Sequence, residues 1–155
     1  MSQSIQISGF DDLDARFDAI LKGAKDKRRE IHEKIGAKMK TEVDRQIGNR
    51  INDSHGKIRS WQDKFTGSGG GYSAVRAIKG KNEHGYAYGY ITNALENGHR
   101  VRVSRRPGYK STSKRFRVVG YGFYAAARTQ SKRLAYQGSD ELARWVKHQM
   151  ERNGG

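Results

Sequence analysis

Apolar side chains recur at helical spacing through the first fifty residues. Leu13, Phe17, Ile20, Leu21 and Ala24 follow Asp11 and Asp12. Either aspartate can cap a helix, and Asp14 suits the positive end of the helix dipole. Gly23 weakens this first helix or lets it bend. A second, longer pattern runs from about Asp26 to Ile51, where Ile31, Ile35, Met39, Val43, Ile47 and Ile51 recur every fourth residue. A four-residue step overshoots a 3.6-residue turn by about 40°, so the stripe winds about 200° over five steps. One flat face does not cover that. The helix meets different neighbours at its two ends, or wraps as a bent rod on one core, or leaves part of the stripe as an intersubunit surface. In the last case Ile35, Met39, Val43 and Ile47 are the candidate subunit contacts. Glu30 and Lys34, at i,i+4 in the favourable order, mark an exposed flank.

The pattern changes on either side of these helices. Ser4 to Ser8 alternates apolar and polar residues, as a short strand does, and Gly9 ends it. Trp61 and Phe65 close the N-terminal part, and four glycines between Gly67 and Gly71 predict a flexible loop. Tyr72–Ile78 and Tyr86–Thr92 read as two strands of a hairpin around a polar turn from Lys79 to Gly85. Asn97-Gly98 is a turn signal. Val101–Val103 and Phe116–Val119 flank a basic loop and can pair as a second hairpin. Gly122 opens a helix through Ala125, Ala126, Ala127, Leu134 and Tyr136, and Gly138 stops it. Ser139 then caps a last helix with Leu142, Trp145, Val146 and Met150 on one face. The expected class is α+β, with long N-terminal helices, a central small antiparallel β-sheet and two C-terminal helices. The 155 residues form one domain, divided into 1–66, 67–120 and 121–155, without internal repeats.

Composition adds two constraints. Apolar residues make up 34% of the chain and mean hydropathy is −0.95, so the core is thin and assembly contributes part of the burial. The net charge of +15 is unevenly spread. No Asp or Glu occurs from Asn97 to Ser139, whereas Arg100, Arg102, Arg105, Arg106, Lys110, Lys114, Arg115, Arg117, Arg128, Lys132 and Arg133 all fall there. Such a block repels itself unless a polyanion or an acidic protein surface lies beside it. The eight cations from Arg100 to Arg117, around the only proline, Pro107, are the candidate contacts to DNA or to an acidic partner. A solvated loop is the plainer reading. Cysteine is absent, which excludes disulfides and thiol chemistry. No run is long and apolar enough for a membrane span, and MSQSIQISGFDD lacks the apolar segment of a signal peptide, so the expectation is cytoplasmic.

Catalytic signals are weak. His32-Glu33 begins like a zinc-protease helix, but Gly36 stands where the second histidine belongs. The five histidines never reach ligand spacing, the glycine run has no Gly-Lys-Ser/Thr behind it, and Ser54-His55 is a sequence neighbour pair rather than a triad. Glu96 reads as an arginine partner rather than a base. No catalytic residue, metal or cofactor is assigned. His84–Ile91 partly matches the aromatic strand of an RNA-recognition motif, and Tyr86, Tyr88 and Tyr90 on one sheet face can stack bases. Gly89 and Ile91 depart from that motif. The competing reading packs these tyrosines on a helix or a neighbouring subunit.

Several strings together resemble a bacteriophage tail-component family, the tail-completion or head–tail joining proteins of long-tailed phages. Ile7-Ser8-Gly9-Phe10-Asp11-Asp12-Leu13 resembles its strand, G-[FL]-x-x-L, helix start. The long charged helix before a glycine-rich break is similar. So is Tyr90-Ile91-Thr92-Asn93-Ala94-Leu95-Glu96-Asn97-Gly98, with its aromatic followed by Glu-x-Gly, and Gly122-Phe123-Tyr124-Ala125-Ala126-Ala127, an aromatic before an alanine-rich helix. The basic insert from Arg100 to Arg117 and the lack of a proline-aromatic pair before that helix are departures. The resemblance implies a non-enzymatic structural protein of the virion neck or tail end. It would assemble in the host cytoplasm into an oligomeric ring with copies of itself. Its partners would be a head-closure protein and a tail terminator or tube, with double-stranded DNA in the channel and no membrane. The long helix and Tyr86, Tyr88 and Tyr90 would then make subunit contacts. The alternative, from composition, is a sequence-independent basic nucleic-acid-binding protein.

Overall fold

The computed structural model describes residues 10–101 and 117–152. The α+β class holds, and two long helices dominate it. Helix α1 (Phe10–Arg50) is a single rod of 41 residues, about 60 Å long at 1.5 Å per residue. The expected break near Gly23 does not occur. No proline interrupts the rod, and the missing side chain of Gly23 makes room for a neighbour: a Cβ there would lie 2.9 Å from Cη2 of Trp145. That tryptophan belongs to the last helix, α4 (Phe123–Arg152), which is likewise unbroken. Gly138, expected to stop one helix before a second began, is buried inside α4, where a Cβ would lie 2.8 Å from Cγ2 of Ile31 and 2.9 Å from Cδ1 of Ile35. Both glycines are points where two antiparallel helices approach closely.

The winding stripe on α1 is covered by different parts of its own chain in turn. Ile31 and Ile35 meet α4 at Gly138. Gly36 faces the hairpin of β1 (Gln62–Thr66) and β2 (Ser73–Ala77), with Lys64 and Ser73 nearest. Val43 and Ile47, 1% and 0% exposed, form the core with Phe123 and Ala127, and Met39, Ile51, Ile58, Val75, Leu95 and Tyr124 pack around them. The reading of Val43 and Ile47 as subunit contacts is therefore corrected: the chain itself buries them.

The β-structure differs in its partners from the expected hairpin. After the short α2 (Lys57–Ser60), β1 pairs antiparallel with β2, Gln62 opposite Ala77 and Thr66 opposite Ser73. The connecting loop touches α1 at Arg29: this side chain donates to the Ser68 carbonyl, and a Cβ on Gly70 would lie 2.7 Å from that of Arg29, whereas Gly69 and Gly71 face open space. The second expected strand, Tyr86–Thr92, is mostly helical, because α3 spans Tyr88–Asn97. Residues spaced by four fit both periods, and burial decides between them. Tyr88, Thr92 and Leu95 lie at i, i+4 and i+7, Tyr88 stacks on Trp61 with centroids 4.5 Å apart, and Thr92 is 3% exposed. The Asn82 side chain accepts from His84 N and Tyr86 N, and Lys81 bridges Ala87, so the chain turns tightly just before α3.

A second two-stranded ribbon joins β3 (Gly98–Arg100) to β4 (Arg117–Val119), Gly98 opposite Val119. The expected partners are Val101–Val103 and Phe116–Val119; the ladder instead joins Gly98–Arg100 to Arg117–Val119, Val101 lies outside it, and residues 102, 103 and 116 lie outside the described residues. Among the described residues the central β-structure is thus two separate pairs. The strand expected at Ser4–Ser8 lies outside the described residues.

Candidate assembly and anion-contact surfaces

The base of the β3–β4 ribbon is locked by backbone contacts. Leu95 O accepts from Tyr121 N at 2.7 Å, and Glu96 O from Gly122 N at 3.1 Å. Gly98 sits at φ +75, a conformation that side chains disfavour, and a Cβ there would strike the Val118 carbonyl oxygen. A Cβ on Gly120 would strike the Glu96 carbonyl oxygen in the same way. The Glu96 carboxylate then caps α4: Oε2 accepts from Tyr124 N at 2.8 Å and Oε1 from Ala125 N at 3.0 Å. A carboxylate there satisfies otherwise unpaired N–H groups and complements the helix dipole. No arginine pairs with Glu96 among the described residues, where its carboxylate serves as this cap instead. Asn97-Gly98 does turn the chain.

A buried polar chain ties the same corner to the core. Tyr124 OH donates to Gln62 Oε1, and Gln62 Nε2 donates to Thr92 Oγ1 at 3.1 Å and to Ile58 O at 3.2 Å. Burial, and secondarily the Glu96 charge, push the Tyr124 hydroxyl up to about 12, so it stays a protonated donor. Asp53 is similarly used. Its carboxylate accepts from Ile58 N, Arg59 N and Arg59 Nε at 3.0–3.2 Å. Burial raises its pKa, but those backbone and guanidinium donors outweigh it and hold the carboxyl below the ordinary value.

Arg100 and Arg117 face each other across the last described rung of the ribbon, both exposed and neither ion-paired among the described residues. Like charges directly opposite destabilise a ladder unless an anion lies between them. Arg102, Arg105, Arg106, Lys110, Lys114 and Arg115 lie outside the described residues.

The three tyrosines are not brought to one face. Tyr88 packs inward on Trp61, whereas Tyr86 and Tyr90 are exposed and stack on each other at 6.5 Å. The sheet-borne stacking platform is therefore corrected to a two-ring patch at the start of α3.

Ile35 and Met39 line a groove of about 790 Å³ between α1, α4 and the β1–β2 hairpin. Val75 and Leu142 contribute to its apolar floor, and Arg28, Arg128 and Lys132 bring charge to it. No Asp or Glu lines this groove among the described residues. Farther along α1, Leu13, Phe17 and Leu21 are 44%, 42% and 67% exposed. The helical spacing of these three was legible, but not that they would lack cover. The signal was the five aspartates around them, Asp11, Asp12, Asp14, Asp18 and Asp26, which mark an acidic end on a basic chain.

Between these surfaces, α1 and α4 are joined by a charged cluster. Lys27 reaches Glu141 at 3.0 Å and Glu30 at 3.1 Å, and Lys34 reaches Glu141 at 3.3 Å. Hydrogen bonds from Lys27 and then Lys34 hold the Glu141 carboxyl below its ordinary range. No group of three or more potential metal ligands occurs among the described residues, and Ser54 meets His55 at 3.0 Å in an exposed position. No helix among them is long and apolar enough to cross a membrane. Comparisons with family models, curated proteins and solved structures give no match to this chain.

Proposed function

We propose that this chain is a structural, non-enzymatic subunit of the neck or tail end of a long-tailed bacteriophage. It joins or completes the tail at the head–tail interface as part of a ring-like oligomer. One observation carries this reading. Glu96-Asn97-Gly98 and Phe123–Ala127, two strings of the phage-family resemblance that lie on either side of the basic stretch, meet in the fold, where the Glu96 carboxylate caps the helix that the second string opens. Together they make a rigid base for a cation-rich, acid-free stretch between Arg100 and Arg117. That stretch contacts DNA in the channel or an acidic adjoining ring. The uncovered apolar end of α1 supports the same reading, since it leaves burial to be completed by assembly.

The test is genetic and visual. Particles assembled without this chain should give filled heads and separate tails in electron micrographs, and the wild-type chain should restore joining. Joined, infectious particles lacking it would overturn the reading. The opposed Arg100 and Arg117 favour a second reading, sequence-independent nucleic-acid binding. In that case affinity for duplex DNA falls log-linearly with salt, with a slope set by the phosphate contacts, while the chain stays monomeric.

A further inference from the structure

We propose that the groove between α1, α4 and the β1–β2 hairpin is the socket for the first turns of α1 from a second copy of this chain. The inference deepens the assembly reading above and rests on it. The two surfaces match in chemistry. The groove has an apolar floor that includes Ile35, Met39 and Leu142, carries Arg28, Arg128 and Lys132, and has no acidic residue among its described lining. Its volume of about 790 Å³ is on the scale of built binding clefts. The α1 end offers the complement. Leu13, Phe17 and Leu21 stand exposed at i, i+4 and i+8, the spacing by which an amphipathic helix anchors in a groove. Asp14 and Asp18 lie between these anchors, on a stretch richer in acid than in base.

Geometry selects a second copy as the source of that helix. The apolar end and the groove wall belong to one uninterrupted rod, so the end cannot fold back into its own groove. Phe17 and Ile35 are separated by about 27 Å along α1, at 1.5 Å per residue. A knob and a socket at different places on one molecule make a heterologous contact, which repeats head to tail and closes into a ring when the rotation allows.

Mass measurement of full-length chains tests this, with circular dichroism to verify folding. The wild type should exceed one copy. Phe17→Asp, with the socket intact, and the double variant Arg128→Glu/Lys132→Glu, with the knob intact, should each lose the oligomer. Their equimolar mixture should form dimers and nothing larger, because one working knob meets one working socket. If Phe17→Asp fails to fold, Leu21→Asp replaces it. A wild-type oligomer that survives both variants overturns this contact and leaves ring assembly standing. A wild type that remains a single copy at its solubility limit overturns both the contact and self-assembly, and leaves the groove to another protein.

Discussion

The two ends of the α1–α4 pair are built differently. At the Phe123 end, α1 is enclosed: Val43 and Ile47 are covered by Phe123 and Ala127, the hairpin closes one side, and Glu96 fixes where α4 begins. At the Trp145 end, only two helices meet among the described residues. Gly23 lets Trp145 lie against α1, Lys27 and Lys34 hold Glu141, and Leu13, Phe17 and Leu21 remain uncovered. One end is finished by its own chain. The other carries the same residue types with too little chain around them, which is the condition of a surface completed by association.

Replacing Phe123 with alanine should have the largest effect on this contrast. The side chain is fully buried, and such truncations cost about 3–5 kcal/mol, read from the urea midpoint. A loss below about 1 kcal/mol would mean that the enclosed end is not the main source of stability. Next come the two glycines. Gly138→Val drives new atoms into Ile31 and Ile35 and should destabilise by about 1–3 kcal/mol. Gly23→Ala should be near neutral, because the edge of the half-buried Trp145 ring can give way while the helix gains about 1 kcal/mol of propensity. Equal costs for the same substitution, alanine, at both glycines would erase the distinction between the ends.

These same glycines show how far the sequence could be read. Periodicity identified both long helices and the core stripe, since Ile31, Val43 and Ile47 face inward as spaced. It read Gly23 as a weak or bending point in a first helix separate from the one beginning near Asp26, and Gly138 as a stop, because a helix-breaking glycine and a helix-contact glycine look alike until the partner helix is placed. The tyrosines failed similarly: Tyr86, Tyr88 and Tyr90 satisfy a period of two, but the inward set is Tyr88, Thr92 and Leu95. Of the candidate surfaces, the basic stretch was legible from charge alone. The groove was not, because its walls come from three separated segments, and neither was the role of Glu96, whose partners lie beyond the basic insert.

Two smaller effects probe the enclosed end. Glu96→Ala leaves Tyr124 N and Ala125 N without their carboxylate and should cost about 1 kcal/mol, by the same urea measurement. An unchanged midpoint would show that the cap does not set the start of α4. The last effect is acid sensitivity. The folded pKa of Asp53 is lowered, so its contribution is fully present above the unfolded value near 3.8 and is lost as pH falls through the folded pKa. Urea midpoints should therefore drop below about pH 4 in the wild type, and drop less in Asp53→Asn. Identical acid profiles would remove Asp53 as the source.

Hydrogen exchange followed against protein concentration tests the unfinished end most directly. Backbone amides of residues 13–24 should exchange quickly in dilute solution and become protected as concentration rises, while those of residues 39–47 stay slow throughout. Strong protection of residues 13–24 that is the same at every dilution would contradict the account.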